Sequence, residues 1–416
     1  MVSAARIATL DLVRGVAVMG IVLMNVQSFA MPEAAYANPA AYGGAHGTSL
    51  AVWATELVLV DGKMRGLFSW LFGASLLLVT DRAGARAAAV HYRRMAWLLV
   101  FGLAHLILVW DGDILVHYAL VGTVAYAFRR RPASALVATG VSLLLVQIVL
   151  DLDTPLAADQ IAAQIAGGHP SAAALHDWPL LRDQFGVPVP ATIAREIARH
   201  RGGYPGLVAH RLAEAPGLIG GTLWSVGLET LAYMLFGMAA LRGGMLTGAW
   251  SRAAYRRVAA IGFGIGVPLG LALAGWVAAS GFDPRAVAWE ADLLSAPIRP
   301  PMIAGWIAVI VLALRPDGAV GARVAAAGRM AFSNYLGTSL ICAGLFDGLG
   351  LFGMFSRAQL LVLVAGVWAA MLLWSRPWLA RYRYGPMEWA WRSLARWRAA
   401  PMRADSSSPA RGRWPA

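Results

Sequence analysis

With 416 residues, 59% of them hydrophobic and only 14% charged, and a mean hydropathy of +0.60, the chain falls outside the ordinary soluble class, whose charged fraction is about 25%. Its net charge of +13 comes from basic residues that flank apolar runs instead of forming one dense tract. That excludes nucleic-acid binding and fits retention of Lys and Arg on the cytoplasmic side of a membrane.

Apolar runs of roughly 17 to 25 residues recur along the chain, and only helices satisfy their own backbone at that length inside a bilayer. The expected fold is all-α, a polytopic bundle of about ten transmembrane helices with both termini cytoplasmic. Cys342 is the single cysteine, so no intrachain disulfide and no cysteine metal site can form, and no metal is expected.

The first span runs from Leu10 to Ala30. A basic start before an apolar run also describes a signal peptide, but Arg14 and Asn25 interrupt the run and many spans follow, so it is read as a retained helix. Residues 31–48 lack Lys and Arg and are placed outside; Arg82, Arg86, Arg93 and Arg94 place the next connection inside. Span 2 is Leu67 to Val79, preceded by an interfacial approach, Leu50 to Arg65, that is free to continue into it. Span 3, Met95 to Trp110, turns at Asp111-Gly112-Asp113 and returns as span 4, Ile114 to Phe128, ending at Arg129-Arg130-Arg131.

Span 5, Ser134 to Leu150, leads into a long extracytoplasmic segment, residues 151–216, whose HRGGYPGLVAHRL run (200–212) reads as an amphipathic interfacial helix. Spans 6 to 10 follow at Leu218–Leu241, Val258–Ala279, Met302–Leu314, Met330–Phe346 and Leu360–Trp374. Residues 1–398 form a single helical domain. From Arg381, RYRYGPMEWAWRSLARW interleaves Arg with Trp and Tyr as a headgroup anchor would, and residues 399–416 are expected to be a disordered basic tail.

Polar groups inside spans are costly unless partnered, which makes them functional candidates. Arg14 and Asn25 are about three helical turns apart on one face of span 1. Arg14 could hold phosphates of a cytoplasmic donor or simply mark the inner edge; Asn25 and, in GRMAFSNYL, Asn334 could position a substrate or only bond neighbouring helices. His105 lies in the outer half of span 3 with Asp113 at the following turn. A histidine with a carboxylate partner can act as general base, and the plainer alternative is a core histidine beside a capping aspartate. Glu229, near the centre of span 6, must be protonated or paired, and suits a proton carrier, a buried acid or an interhelical hydrogen bond. His117 and Tyr118 could complete the His105 site or simply line the hairpin, and His46 stands alone in the first outer loop. No Walker loop, HExxH pair or GxSxG elbow is present.

Three stretches, LDLVRGVAVMGIVLMN (10–25), HLILVWDGDILVHYALVG (105–122) and GRMAFSNYL (328–336) with YGPMEWAWR (384–392), resemble the YeiB-like family of bacterial inner-membrane proteins. The LDxxRG opening is also similar to that of transmembrane acyltransferases of the acyltransferase-3 and heparan-α-glucosaminide acetyltransferase types. In the acyltransferase-3 pattern an Arg is followed eleven residues later by His; Arg14 matches, but Asn25 stands at the His position and cannot act as a base. The heparan-type relatives use a histidine outside that spacing, a role open here to His105 or His46.

What the resemblance implies is transfer of an acyl group from cytoplasmic acyl-CoA to a hydroxyl or amine on an extracytoplasmic glycan or lipid, with homodimerisation hinted at. Arg14 would hold the donor, His105 with Asp113 would activate the acceptor, and Asn25 and Asn334 would position the acyl carbonyl. The alternatives are a proton-coupled small-solute transporter with Glu229 as proton carrier, and a structural membrane protein without chemistry.

Overall fold

A computed structural model describes residues 7–403 of the chain. Among these the architecture is all-helical with no strand; one isolated bridge joins Tyr382 to Arg403. In chain order the helices are α1 (Ala8–Ala30), α2 (Gly47–Leu59), α3 (Lys63–Ala83), α4 (Ala87–Leu108), α5 (Leu115–Ala125), α6 (Ala133–Leu150), α7 (Asp153–Ala166), α8 (Ala172–Phe185), α9 (Pro190–Arg201), α10 (Tyr204–Arg242), α11 (Arg252–Ala279), α12 (Pro284–Ala288), α13 (Arg299–Ala313), α14 (Ala319–Arg329), α15 (Ala331–Ala343), α16 (Arg357–Arg381) and α17 (Pro386–Arg396).

Six stretches among the described residues are long and apolar enough to cross a bilayer: Ala8–Ala30, Ala133–Ala166, Tyr204–Arg242, Arg252–Ala279, Pro284–Ala313 and Arg357–Arg381. They contain expected spans 1, 5, 6, 7, 8 and 10. The other expected spans fall on α3, α4, α5 and α15, which are shorter or carry more charge. Several helices begin a turn or two before the apolar run, as α4 and α11 do through Arg93, Arg94 and Arg252. Hydropathy marks the part of a helix that lies in hydrocarbon, not where its hydrogen bonding starts.

Small residues set the tightest crossings. A Cβ on Gly73 would collide with the Met234 carbonyl, and one on Gly237 with the Trp70 carbonyl, so α3 and α10 meet backbone to backbone. Gly15 against Val324 and Gly328 against Asp11 do the same for α1 and α14. Where lipid supplies no hydrophobic drive between helices, such close approach provides the dispersion contact that holds them.

Four segments depart from or add to the sequence-based expectation. The 200–212 run is not a separate interfacial helix. Its later part opens α10, which continues through Pro216 for 39 residues, about 58 Å at 1.5 Å per residue, and neighbouring helices can compensate for the hydrogen bond that Pro216 forgoes. Next, α2 and α3 are distinct: Gly62, at φ 67°, turns the chain with the Arg299 side chain laid against it. The long 151–216 segment is structured as α7 to α9, tied down by Asn38 donating to the carbonyls of Phe185 (2.8 Å) and Phe282 (3.1 Å), and by Trp289 donating to Asp159 (2.8 Å).

The fourth is the aromatic tail. Its helix α17 docks on the bundle: Trp391 donates to the Arg94 carbonyl (2.9 Å) under the Arg94 guanidinium, and Glu388 accepts from the backbone amides of Phe332 (2.8 Å) and Ser333 (3.1 Å), capping α15. The start of the tail folds back, with Trp389 donating to the Ala400 carbonyl and Arg383 to that of Met402. The rest of the expected tail, 404–416, lies outside the described residues.

Candidate functional site

Two cavities lie end to end along α1. The first, about 620 Å³, is lined by the C-terminal half of α1 (Met24, Asn25, Ser28), the N-terminal turn of α3 and the 110–112 turn. The second, about 520 Å³, is lined by the N-terminal half of α1 (Leu10, Asp11, Arg14), the C-terminal half of α3 and the tail helix α17. Ile21 and Ile114 line both, so the wall between them is thin there.

Their charges are segregated. Around the second cavity stand Arg14, Arg82, Arg94, Arg329, Arg383 and Arg392, against Asp11 and Glu388. Around the first stand nine carboxylates, Glu229 among them, against Arg65, Arg299 and Arg357. We call them the basic and the acidic cavity. In the basic one Arg14 reaches Asp11 (3.2 Å) and the Ser75 hydroxyl (3.1 Å), and its side chain stays a quarter exposed. A partly paired guanidinium at a cavity edge can bind an anionic oxygen.

His105 and Asp113 do pair. Nδ1 lies 2.7 Å from Asp113 Oδ1, and the other carboxylate oxygen takes the Val116 backbone N–H at 2.8 Å, which starts α5. Both residues are buried. The imidazole does not open directly into either cavity. It sits beside Trp110, which lines the acidic cavity (ring centroids 6.3 Å), and Tyr335, which lines the basic one (5.3 Å). Three polar atoms in this group, His105 Nε2, Trp110 Nε1 and the Tyr335 hydroxyl, are buried with no hydrogen-bond partner among the described residues. Each such atom forgoes about 1–3 kcal/mol, so three in adjoining rings mark a place where a polar group from a substrate would be welcome.

The remaining candidates separate. Asn25 faces the acidic cavity, whereas Arg14 on the same helix faces the basic one. Asn334 touches neither: its amide donates to the Ala327 carbonyl (3.0 Å) and Ser375 (3.2 Å) and accepts from Trp374 (2.8 Å), which binds α14, α15 and α16 together. Glu229 lines the acidic cavity and is clamped by Arg65 (2.5 Å), Arg299 (3.2 Å) and the Tyr233 hydroxyl (2.8 Å). It is therefore paired, of the two states the sequence allowed. His117 hydrogen-bonds Thr230 (2.9 Å) behind that cluster. His46 is exposed and lines neither cavity.

Sequence reasoning missed a second imidazole-carboxylate pair. His200, on α9, lines the acidic cavity; its Nδ1 lies 2.8 Å from Asp347, whose other oxygen takes the buried Arg211 guanidinium at 2.9 Å. With 147 positions between the two residues and each in an unremarkable run, no local spacing signals them. The same holds for Tyr335 and for the part α17 takes in walling the basic cavity.

A family model described as a protein of unknown function (DUF418) matches residues 240–398. The chain is 34% identical over 413 residues to the uncharacterized protein YeiB of Escherichia coli (strain K12), covering 97% of this chain and 99% of that protein. It is 29% identical over 413 residues to the uncharacterized protein YxaH of Bacillus subtilis (strain 168), covering 93% and 94%. An uncharacterized 39.9 kDa protein from the amylase 3' region of Bacillus acidopullulyticus is 31% identical over 143 residues, 34% of this chain and 39% of that one. No solved structure matches. Identity at this level along nearly the whole length, on an all-helical fold with several bilayer-length helices, makes the chain a member of the YeiB-like family of membrane proteins.

Proposed function

We propose that the chain is an acyltransferase of the bacterial inner membrane, passing an acyl group from cytoplasmic acyl-CoA to an acceptor outside. The observation that carries this reading is the pair of cavities of opposite charge meeting at a thin wall, with the His105–Asp113 pair behind that wall. An acyl-CoA is polyanionic at its nucleotide end, and the arginines of the basic cavity suit it; placing that cavity on the cytoplasmic side agrees with the distribution of Lys and Arg.

The thioester would reach the wall near Ile21 and Ile114, and the acceptor would come from the acidic cavity. Asp113 holds the His105 tautomer, leaving Nε2 to take the acceptor's proton as its oxygen or nitrogen bonds the carbonyl carbon. The carbon–sulfur bond then breaks, and the proton passes to the departing thiolate. For this the acceptor's reacting group must enter between Trp110 and Tyr335, where the unpartnered donors lie ready for the developing oxyanion.

The test is thermal protection of the purified protein by acetyl-CoA and longer acyl-CoAs. Protection that Arg14→Ala abolishes supports the reading; no protection of the wild type by any chain length sinks it. A second reading, proton-coupled transport of a small solute, draws on the same opposed cavities and on Glu229 facing one of them. Proton-driven uptake that Glu229→Gln abolishes would favour it.

A further inference from the structure

The acidic cavity carries far more negative charge than its cations neutralise. Arg65 and Arg299 are both engaged on Glu229, and Arg357 is held between Glu56 (3.9 Å) and the Ala35 carbonyl (2.5 Å). The seven other lining carboxylates, Asp61, Asp111, Asp151, Glu290 and Asp292 among them, have no ion-pair partner among the described residues. Among the described residues the Asp61 carboxylate accepts only from the Tyr36 hydroxyl (3.1 Å) and that of Asp151 only from the Gln147 amide (2.8 Å).

Glu290 is the most telling of them. It is 5% exposed, and its Oε1 is buried without a hydrogen-bond partner among the described residues. With Asp292 it sits on a π-turn, Trp289–Leu294, between α12 and α13. Such turns cost regular helical bonding and recur at functional sites. A buried, orphaned carboxylate oxygen is expensive unless something comes to meet it.

We propose that the acidic cavity binds an organic cation through a protonated amine, with Glu290 as its main anchor and Asp292 beside it. A bare metal ion fits less well, because among the described residues no three carboxylate or imidazole side chains are grouped to hold one. The negative charge is spread over a cavity of about 620 Å³, which suits a molecule with a positive end and room for a body. This inference concerns what the cavity recognises and holds whether the chain transfers acyl groups or moves solutes.

The test uses the full-length protein in detergent and an isosteric pair of probes, putrescine and 1,4-butanediol, read by thermal shift and titration calorimetry. Putrescine should raise the melting temperature where the diol does not, and added salt should weaken the effect. Glu290→Gln should reduce putrescine affinity by about tenfold or more, the loss expected for one charge-assisted hydrogen bond, while Arg14→Ala should leave it unchanged. Asp292→Asn serves as the second variant should Glu290→Gln fold poorly, and it should weaken binding severalfold. Equal protection by diol and diamine, no protection by putrescine, or full affinity in the variant that folds would each overturn the proposal. Failure of acyl-CoA protection would bear on the acyltransferase reading alone and leave this result standing.

Discussion

His105 Nδ1 and Asp113 Oδ1 lie 2.7 Å apart across the α4–α5 turn, and the same carboxylate starts α5 through the Val116 amide. One side chain therefore orients a candidate base and caps a helix. Asp113→Ala should lose both functions and destabilise the fold by about 1–3 kcal/mol. His105→Gln should keep acyl-CoA protection while lowering acyl transfer by roughly 100-fold or more, the scale of a general base. Unchanged transfer in His105→Gln would move that role elsewhere, with His200 the next imidazole to test.

The α3–α10 crossing depends on two positions that admit no side chain. Gly73→Ala or Gly237→Ala must push a carbonyl-bearing backbone away, at an expected cost of about 1–3 kcal/mol. Because α3 carries Arg65 and α10 carries Glu229, the same shift should loosen the clamp that fixes the floor of the acidic cavity. Thermal unfolding in detergent measures this; substitution without loss would mean the helices are not in contact there.

Glu56 lies on α2, outside the six stretches long enough to cross the bilayer. Burial pushes its carboxyl up to about 7 from an ordinary 4.5, despite the Arg357 guanidinium 3.9 Å away and the Gln27 amide that donates to it. The folded chain thus holds this proton more tightly than the unfolded chain. Between pH 4.5 and about 7 its contribution to stability falls as pH rises, by at most about 3 kcal/mol. The melting temperature should fall across that window, and Glu56→Gln should flatten part of the slope.

Cys342 is fully buried, so Cys342→Ala gives a background for labelling. Thr48 in the first turn of α2 and Ala85 between α3 and α4 are exposed. With the basic cavity cytoplasmic, Thr48→Cys should react with an impermeant maleimide in spheroplasts, and Ala85→Cys only after permeabilisation. The reverse pattern would invert the orientation on which acyl transfer depends.

Much of the architecture was legible because hydropathy is a local property. A run of twenty apolar residues must find hydrocarbon wherever its neighbours fall, so the apolar cores of α1, α6, α11, α13 and α16 could be placed without coordinates. The His105–Asp113 pair was legible for a similar reason, since only eight positions separate the two residues across one tight turn.

What tertiary structure alone decided are the relations between distant charges. Arg65 meets Glu229 across 164 positions, and His200 meets Asp347 across 147. In neither case does sequence spacing constrain the distance, because which helices become neighbours is set by packing, here by contacts such as Gly73 with Met234 and Gly237 with Trp70. The same packing sorted the arginines to one end of α1 and the carboxylates to the other. It also brought Tyr335 beside His105 and closed α17 over the basic cavity.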